Sequence, residues 1–174
     1  MMFFLIFLVF IICQRVAELL MAKSNERWMK ERGAKEYGRD HYRFMVLIHV
    51  GFFLFLIAET LLTSRPLNPY WPFLLILFII VQLARVWVIS SLGRFWNTKI
   101  IVLPGAKMVK KGPFKYMKHP NYLIVTIELL VIPLLFQAYV TASVFFILNH
   151  VILMVRIPME EKALKENTDY DAYF

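Results

Sequence analysis

The residues best suited to chemistry lie in the stretch Val109 to Tyr122, VKKGPFKYMKHPNY, and in a cluster near the C-terminus made of Arg156, Glu160 and Glu161. Lys110, Lys111, Lys115 and Lys118 crowd the first stretch together with Gly112, Pro113 and Pro120, a composition that suits an ordered loop better than a helix interior. Pro120 sets the start of a helix, so His119 and Tyr122, three apart across its first turn, can face one pocket. Pro158 is expected to end a membrane helix, with a short surface helix over Met159 to Glu166 after it. Glu160 and Glu161 fall in that helix's first turn, where the dipole alone favours carboxylates, and Arg156 sits where a guanidinium can snorkel to lipid phosphate. A basic loop and an acidic tail roofing an apolar bundle suit a polar cofactor approached from the aqueous side and a greasy substrate approached from lipid.

Other chemistries lack their signatures. The chain has no GxxxxGK[ST], no strand-borne GxGxxG, no GxSxG, no HExxH and no CxxC. Histidines 41, 49, 119 and 150 are scattered without a ligand spacing, so no metal is expected. Cys13, the single cysteine, excludes an internal disulfide.

The elements that must position these residues are membrane helices. Hydrophobic residues make up 60% of the 174, against roughly 45–50% in soluble domains, and the mean hydropathy is +0.61. The N-terminus has no preceding positive region and no small-residue cleavage signature, so it reads as a retained span. Apolar runs place spans at about 1–21, 44–62 and 70–92. The run from Tyr122 to Ile157 is 36 residues long. As a straight helix it would reach roughly 54 Å against a ~30 Å hydrocarbon core, so it should fold back near Gln137 into spans at about 120–136 and 138–157. The expected fold is an all-α integral membrane domain over 1–174, with five transmembrane helices, a C-terminal helical hairpin and a cytosolic cofactor pocket built from the loop 93–121 and the tail 158–174.

Charge placement agrees with five crossings. Lys23 to Arg43 holds seven Lys/Arg, Gly93 to Asn121 another seven with no acid, and Thr63 to Pro69 only Arg65. With five spans both basic segments and the tail share a side, which the positive-inside rule makes cytoplasmic, with the N-terminus outside. The net charge of +8 falls between apolar runs, which points to anionic membrane lipid and not to nucleic acid.

Within the spans lie Gln14, Arg15, Glu18, His49, Glu59, Gln82, Arg85, Glu128, Asn149 and His150, each costly in lipid unless it faces the bundle interior. Arg15 and Glu18, three apart, can neutralise each other on one helix face. His49, alone on an apolar face, reads as a satisfied structural histidine. Glu128, about two turns into the fourth span, is open between a functional buried carboxyl and a helix-to-helix contact.

The pattern Val109-x-x-Gly112-x-Phe114-x-x-x-Lys118-His119-Pro120-x-Tyr122, followed by two spans and Arg156-x-x-x-Glu160-Glu161, resembles the isoprenylcysteine carboxyl methyltransferase family, which is itself similar to phospholipid N-methyltransferases. The resemblance covers roughly Lys99 to the C-terminus. It implies S-adenosyl-L-methionine held between loop and tail, lined by Ala106, Lys107, Met108, Val109, Phe114, His119, Pro120, Asn121 and Tyr122. It further implies Glu160 at the cofactor's polar end, Lys99 near another cofactor contact, and Arg156 as the catalytic residue on the substrate. Two positions depart from the family pattern: Phe114 stands for the usual Tyr and lacks its hydroxyl, and Lys118 stands for the usual Arg and lacks its bidentate fork.

Methyl transfer from a sulfonium is mainly a positioning task, which matches a site poor in acid–base groups. A compact five-span plan and the run KHPNYLIVTIEL look like the bacterial branch, whose members include O-methyltransferases of alkylpyrones. The resemblance therefore implies a plasma-membrane enzyme that methylates an oxygen of a lipophilic small molecule, such as an alkylpyrone or a prenylcysteine-like lipid. Two further readings remain at this level, an NADPH-dependent lipid or sterol reductase and a non-catalytic membrane scaffold or transporter.

Overall fold

A computed structural model describes residues 1–172; positions 173 and 174, the end of the expected tail, lie outside the described residues. Five helices carry the chain: α1 (Met2–Lys30), α2 (Arg39–Thr63), α3 (Trp71–Leu92), α4 (Pro120–Leu135) and α5 (Tyr139–Asn167). Four of them, α1, α2, α3 and α5, are long and apolar enough to cross a membrane, whereas α4 has 16 residues, about 24 Å of helix. The fold is nearly all-α, and the protein is an integral membrane protein. Leu5, Ile6, Leu47, Leu54, Ile80, Leu83, Ile147 and Met154 stand exposed around the bundle, a distribution that suits lipid.

Contacts sort the connections to the two ends of the bundle. The Phe136 ring packs on Phe4 and Phe7 at 4.9 and 5.4 Å between centroids. Asn68 Nδ2 donates to Leu134 O at 3.1 Å, and Arg65 Nη1 to Gln137 O at 2.8 Å. The chain start, the α2–α3 loop and the α4–α5 turn therefore share one end, where Phe4, Phe7, Phe52, Leu56, Phe78, Leu129 and Leu135 form the main core. The turn passes through Gln137 in a left-handed conformation, φ 57°. Glu59 of α2 caps the returning helix, accepting from the Thr141 amide and hydroxyl, both at 2.7 Å.

At the other end two short strands, β1 (Lys35–Tyr37) and β2 (Ile100–Val102), pair antiparallel with Lys35 opposite Val102. Asn25 Nδ2 of α1 donates to Trp96 O at 2.8 Å, and Gly105 N donates to Asn167 O at 2.9 Å. Both basic connectors and the chain's last turns thus gather at this end.

The first helix continues beyond the apolar segment to Lys30, with Ala22, Asn25 and Met29 buried against the connectors. One local expectation is corrected. Pro158 does not break the last helix: α5 continues through it to Asn167. Pro158 removes one amide donor, but the helix is held on both sides, by Arg156 Nη2 bonded to Thr98 O at 2.7 Å and by Ala163 packed on Ile100 and Val102. Tertiary packing offsets the lost hydrogen bond.

Candidate functional site

The site forms where the α3–α4 connector meets the end of α5. Gly112 fixes the connector to α3 with φ 58°; a Cβ there would collide with Ser91 Oγ and come within 3.0 Å of Trp87 Nε1, so the close approach needs glycine. A 3-10 turn, Gly112–Lys115, follows, and Phe114 packs against Val81, Val88 and Ile124. Pro120 then opens α4 with His119 at the N-cap. The His119 and Tyr122 rings stack with centroids 5.3 Å apart and planes 23° from parallel.

Three residues from α4 and α5 interlock at this point. Tyr122 Oη donates a short hydrogen bond to Glu160 Oε2, and accepts one from Arg156 Nε at 2.8 Å. Arg156 is 5% exposed and also donates to Thr98 O. His119 Nε2 lies 3.0 Å from Glu161 Oε1, and His119 Nδ1 lies 4.0 Å from Glu160 Oε2. The tail beyond the helix closes over the connector: Met108 N donates to Asp169 Oδ1 at 2.8 Å, and Lys118 Nζ sits 5.6 Å from the Tyr170 ring centre. Burial and the nearby Glu161 carboxylate push the Tyr170 hydroxyl's pKa up, so it stays protonated.

A cavity of about 350 Å³ opens beneath this interlock. Its outer end is polar, with His119, Asn121, Tyr122, Arg156, Glu160, Lys99 and Lys118; its middle is apolar, with Val46, Val50, Phe53, Val125, Leu129 and Leu153. Asn121 Oδ1 and Trp96 Nε1, both on cavity-lining residues, are buried with no hydrogen-bond partner among the described residues. Of the residues expected to touch a cofactor, Lys99, Phe114, His119, Pro120, Asn121, Tyr122 and Glu160 line this cavity, as does Arg156. Ala106, Lys107, Met108 and Val109 do not; they run along the outer strap tied to Asp169. Lys99 is also committed to Glu26 Oε1 at 2.9 Å and Glu36 Oε1 at 3.5 Å. Hydrogen bonding to Lys30 and the charge of Lys99 hold the Glu36 carboxyl below its ordinary pKa.

The deeper cavity wall holds charges that the sequence shows only as separate polar positions. Arg15 of α1 bonds Glu18 Oε2 at 2.7 Å and Glu128 Oε1 at 2.8 Å. Arg85 of α3 reaches Glu18 Oε2 at 3.1 Å and Glu128 Oε1 at 3.0 Å, with a further short bond to Glu128 Oε2. Gln82 Nε2 donates to Glu128 Oε1 at 2.7 Å, and Gln82 Oε1 accepts from Gln14 Nε2 at 2.6 Å. The Arg15–Glu18 pair is real but is half of a four-charge network. Tyr42, His49, Thr98 and Asn97 also line the cavity. Their signal in sequence was polarity within or beside apolar runs; the faces that converge were not encoded in spacing.

Comparison with known proteins places this geometry. No solved structure matches the chain. The uncharacterized protein YpbQ of Bacillus subtilis is 49% identical over 165 residues, covering 95% of this chain and 98% of its own. An uncharacterized protein of Haemophilus influenzae is 31% identical over 155 residues, covering 88% of this chain and 90% of its own. The model of the isoprenylcysteine carboxyl methyltransferase (ICMT) family matches residues 74–166, just over half the chain, an interval that begins within α3 and runs through the Tyr122–Arg156–Glu160 interlock. The chain belongs to the isoprenylcysteine carboxyl methyltransferase family, a family of membrane methyltransferases.

Proposed function

We propose that the protein is an S-adenosyl-L-methionine-dependent methyltransferase acting on an oxygen, a carboxylate or an acidic enol, of a lipophilic acceptor such as an alkylpyrone or a prenylcysteine-like lipid. The observation that carries this reading is the position of Tyr122, Arg156 and Glu160 at the polar end of a cavity whose remaining walls are apolar. The residues present suit the cofactor. Asn121 Oδ1 offers a buried acceptor with no partner among the described residues, and Glu160 offers a carboxylate, two groups matched to amino and hydroxyl donors. The stacked faces of His119 and Tyr122, with Phe114, suit a purine.

When bound, the cofactor supplies an electrophilic methyl on sulfur. Arg156 orients the acceptor oxygen through its guanidinium fork and favours its anionic form by charge. Glu160 holds the cofactor's polar end and Lys99 adds a contact near it, while Ala106, Lys107, Met108 and Val109 act as the strap that closes over it. Connector and tail together exclude water from the reacting atoms. The acceptor's chain occupies the apolar middle. Positive-inside asymmetry assigns the connector end to the cytoplasm and the N-terminus to the outside of a bacterial plasma membrane, with anionic lipid against the basic segments.

The test is incubation of purified protein with methyl-labelled S-adenosylmethionine and total lipid extract, followed by identification of the labelled lipid. An O-methylated amphiphile is expected. No label transfer by folded protein would overturn the proposal.

A further inference from the structure

The methyl-transfer reading uses the outer end and the apolar middle of the cavity and leaves its inner end without a role. Glu128 lies six residues beyond Tyr122 on α4, about 9 Å further along the helix axis. Around it Arg15, Glu18, Arg85 and Glu128 form a network whose two positive and two negative charges balance. Here the Arg15 side chain is 23% exposed while Arg85 and Glu128 are at 4% and 5%, and Arg15 lines the cavity. A second observation comes from α2. His49 lines the same cavity, and its Nδ1 lies 2.7 Å from Met45 O. A carbonyl only accepts, so Nδ1 carries the proton; the neutral ring then presents Nε2 as an acceptor. The hydrogen bond at Nδ1 is the one the ring makes among the described residues.

We infer that this inner end is a recognition subsite for a hydroxyl group carried by the acceptor, deeper in the cavity than the oxygen that receives the methyl. The inference rests on the reading that the cavity holds a lipophilic acceptor, and it names the class: an amphiphile with an acidic oxygen at one end and a neutral hydroxyl part-way along its chain. The hydroxyl donates to His49 Nε2 and accepts from the exposed edge of Arg15. A neutral group fits because the network already balances its own charge; an added ion would be left unpaired in a low-dielectric wall. An unsubstituted chain would leave the histidine acceptor buried and unpaired, which makes the site selective.

The test measures dissociation constants for a series of long-chain carboxylic acids in which one hydroxyl is walked along the chain, using the full-length protein in lipid nanodiscs. The expected profile has one peak at an interior position of the chain, roughly tenfold tighter than the unsubstituted acid. His49→Leu flattens the peak, and His49→Gln, whose amide oxygen still accepts, keeps one. A flat wild-type profile, no binding of any member, or a peak that survives His49→Leu in folded protein overturns the subsite; if that variant does not fold, the wild-type profile decides alone. Binding is read without turnover, so the two readings separate. A peak without methyl incorporation counts against the methyltransferase reaction and for the subsite, and incorporation with a flat profile does the reverse.

Discussion

Arg156 Nε donates to Tyr122 Oη at 2.8 Å, and this one bond ties the last helix to the first turn of α4 across 34 residues of chain. The same phenol donates to Glu160, so an arginine assigned to the acceptor and a carboxylate assigned to the cofactor meet at a shared hydroxyl. Removing either end therefore has separable consequences.

Arg156→Ala is expected to lower turnover by about tenfold to a hundredfold, the range for losing a hydrogen bond to a charged group, with a smaller effect on cofactor affinity. Arg156→Lys should not restore turnover, because a point charge does not reproduce the guanidinium fork. His119→Ala and Glu160→Ala should instead weaken cofactor binding by about tenfold. Steady-state kinetics and calorimetry on the three variants check the split, and equal losses of cofactor affinity in all three would show that Arg156 is misassigned.

Gly112→Ala is expected to destabilise the protein by about 1–3 kcal/mol, because residue 112 has φ 58° and no room for a Cβ beside Ser91. The strain would displace the connector that carries Phe114 and His119. Thermal unfolding measures the first effect and cofactor affinity the second; an unchanged midpoint would contradict the close approach.

Arg85→Ala leaves Glu128 with one guanidinium and should cost about 3–5 kcal/mol, the usual consequence of removing one partner of a buried ion pair. Replacing Arg85 and Glu128 together by apolar residues of similar volume should cost less than Arg85→Ala alone. Denaturant unfolding of the single and double variants checks the order.

Glu36 supplies a pH dependence with a definite sign. Its carboxyl titrates below the ordinary 4.5 in the folded chain, through its hydrogen bond to Lys30 and the nearby Lys99. Its stabilising contribution is present above that value and disappears as pH falls through the lower, folded pKa. The contribution is about 0.5–1 kcal/mol for a pair at the surface. Unfolding midpoints followed down through this range should fall less in Glu36→Gln than in wild type.

The helices and the motif were legible because apolar length and the KHPNY and R-x-x-x-E-E spacings are local properties of the chain. The end of α5 was not: Pro158 is a helix breaker by local rule, and the Arg156–Thr98 bond together with the packing of Ala163 on Ile100 and Val102 carries the helix past it. The small sheet was hidden for the same reason, since Lys35–Tyr37 and Ile100–Val102 are three-residue strands separated by two helices. At the site, Tyr122 and His119 share the turn that Pro120 starts, so their common facing followed from spacing. Arg15, Arg85 and Glu128 come from three helices, and their meeting depends on helix rotation, which hydropathy does not encode.

The most direct measurement is calorimetric titration of S-adenosylhomocysteine into the purified, folded protein in lipid nanodiscs, beside Glu160→Ala. Saturable one-to-one binding that weakens by about tenfold in the variant is the predicted result. No binding to the wild-type protein, or binding that Glu160→Ala leaves unchanged, would contradict a methyl donor held between the lysine-rich connector and the acidic end of α5.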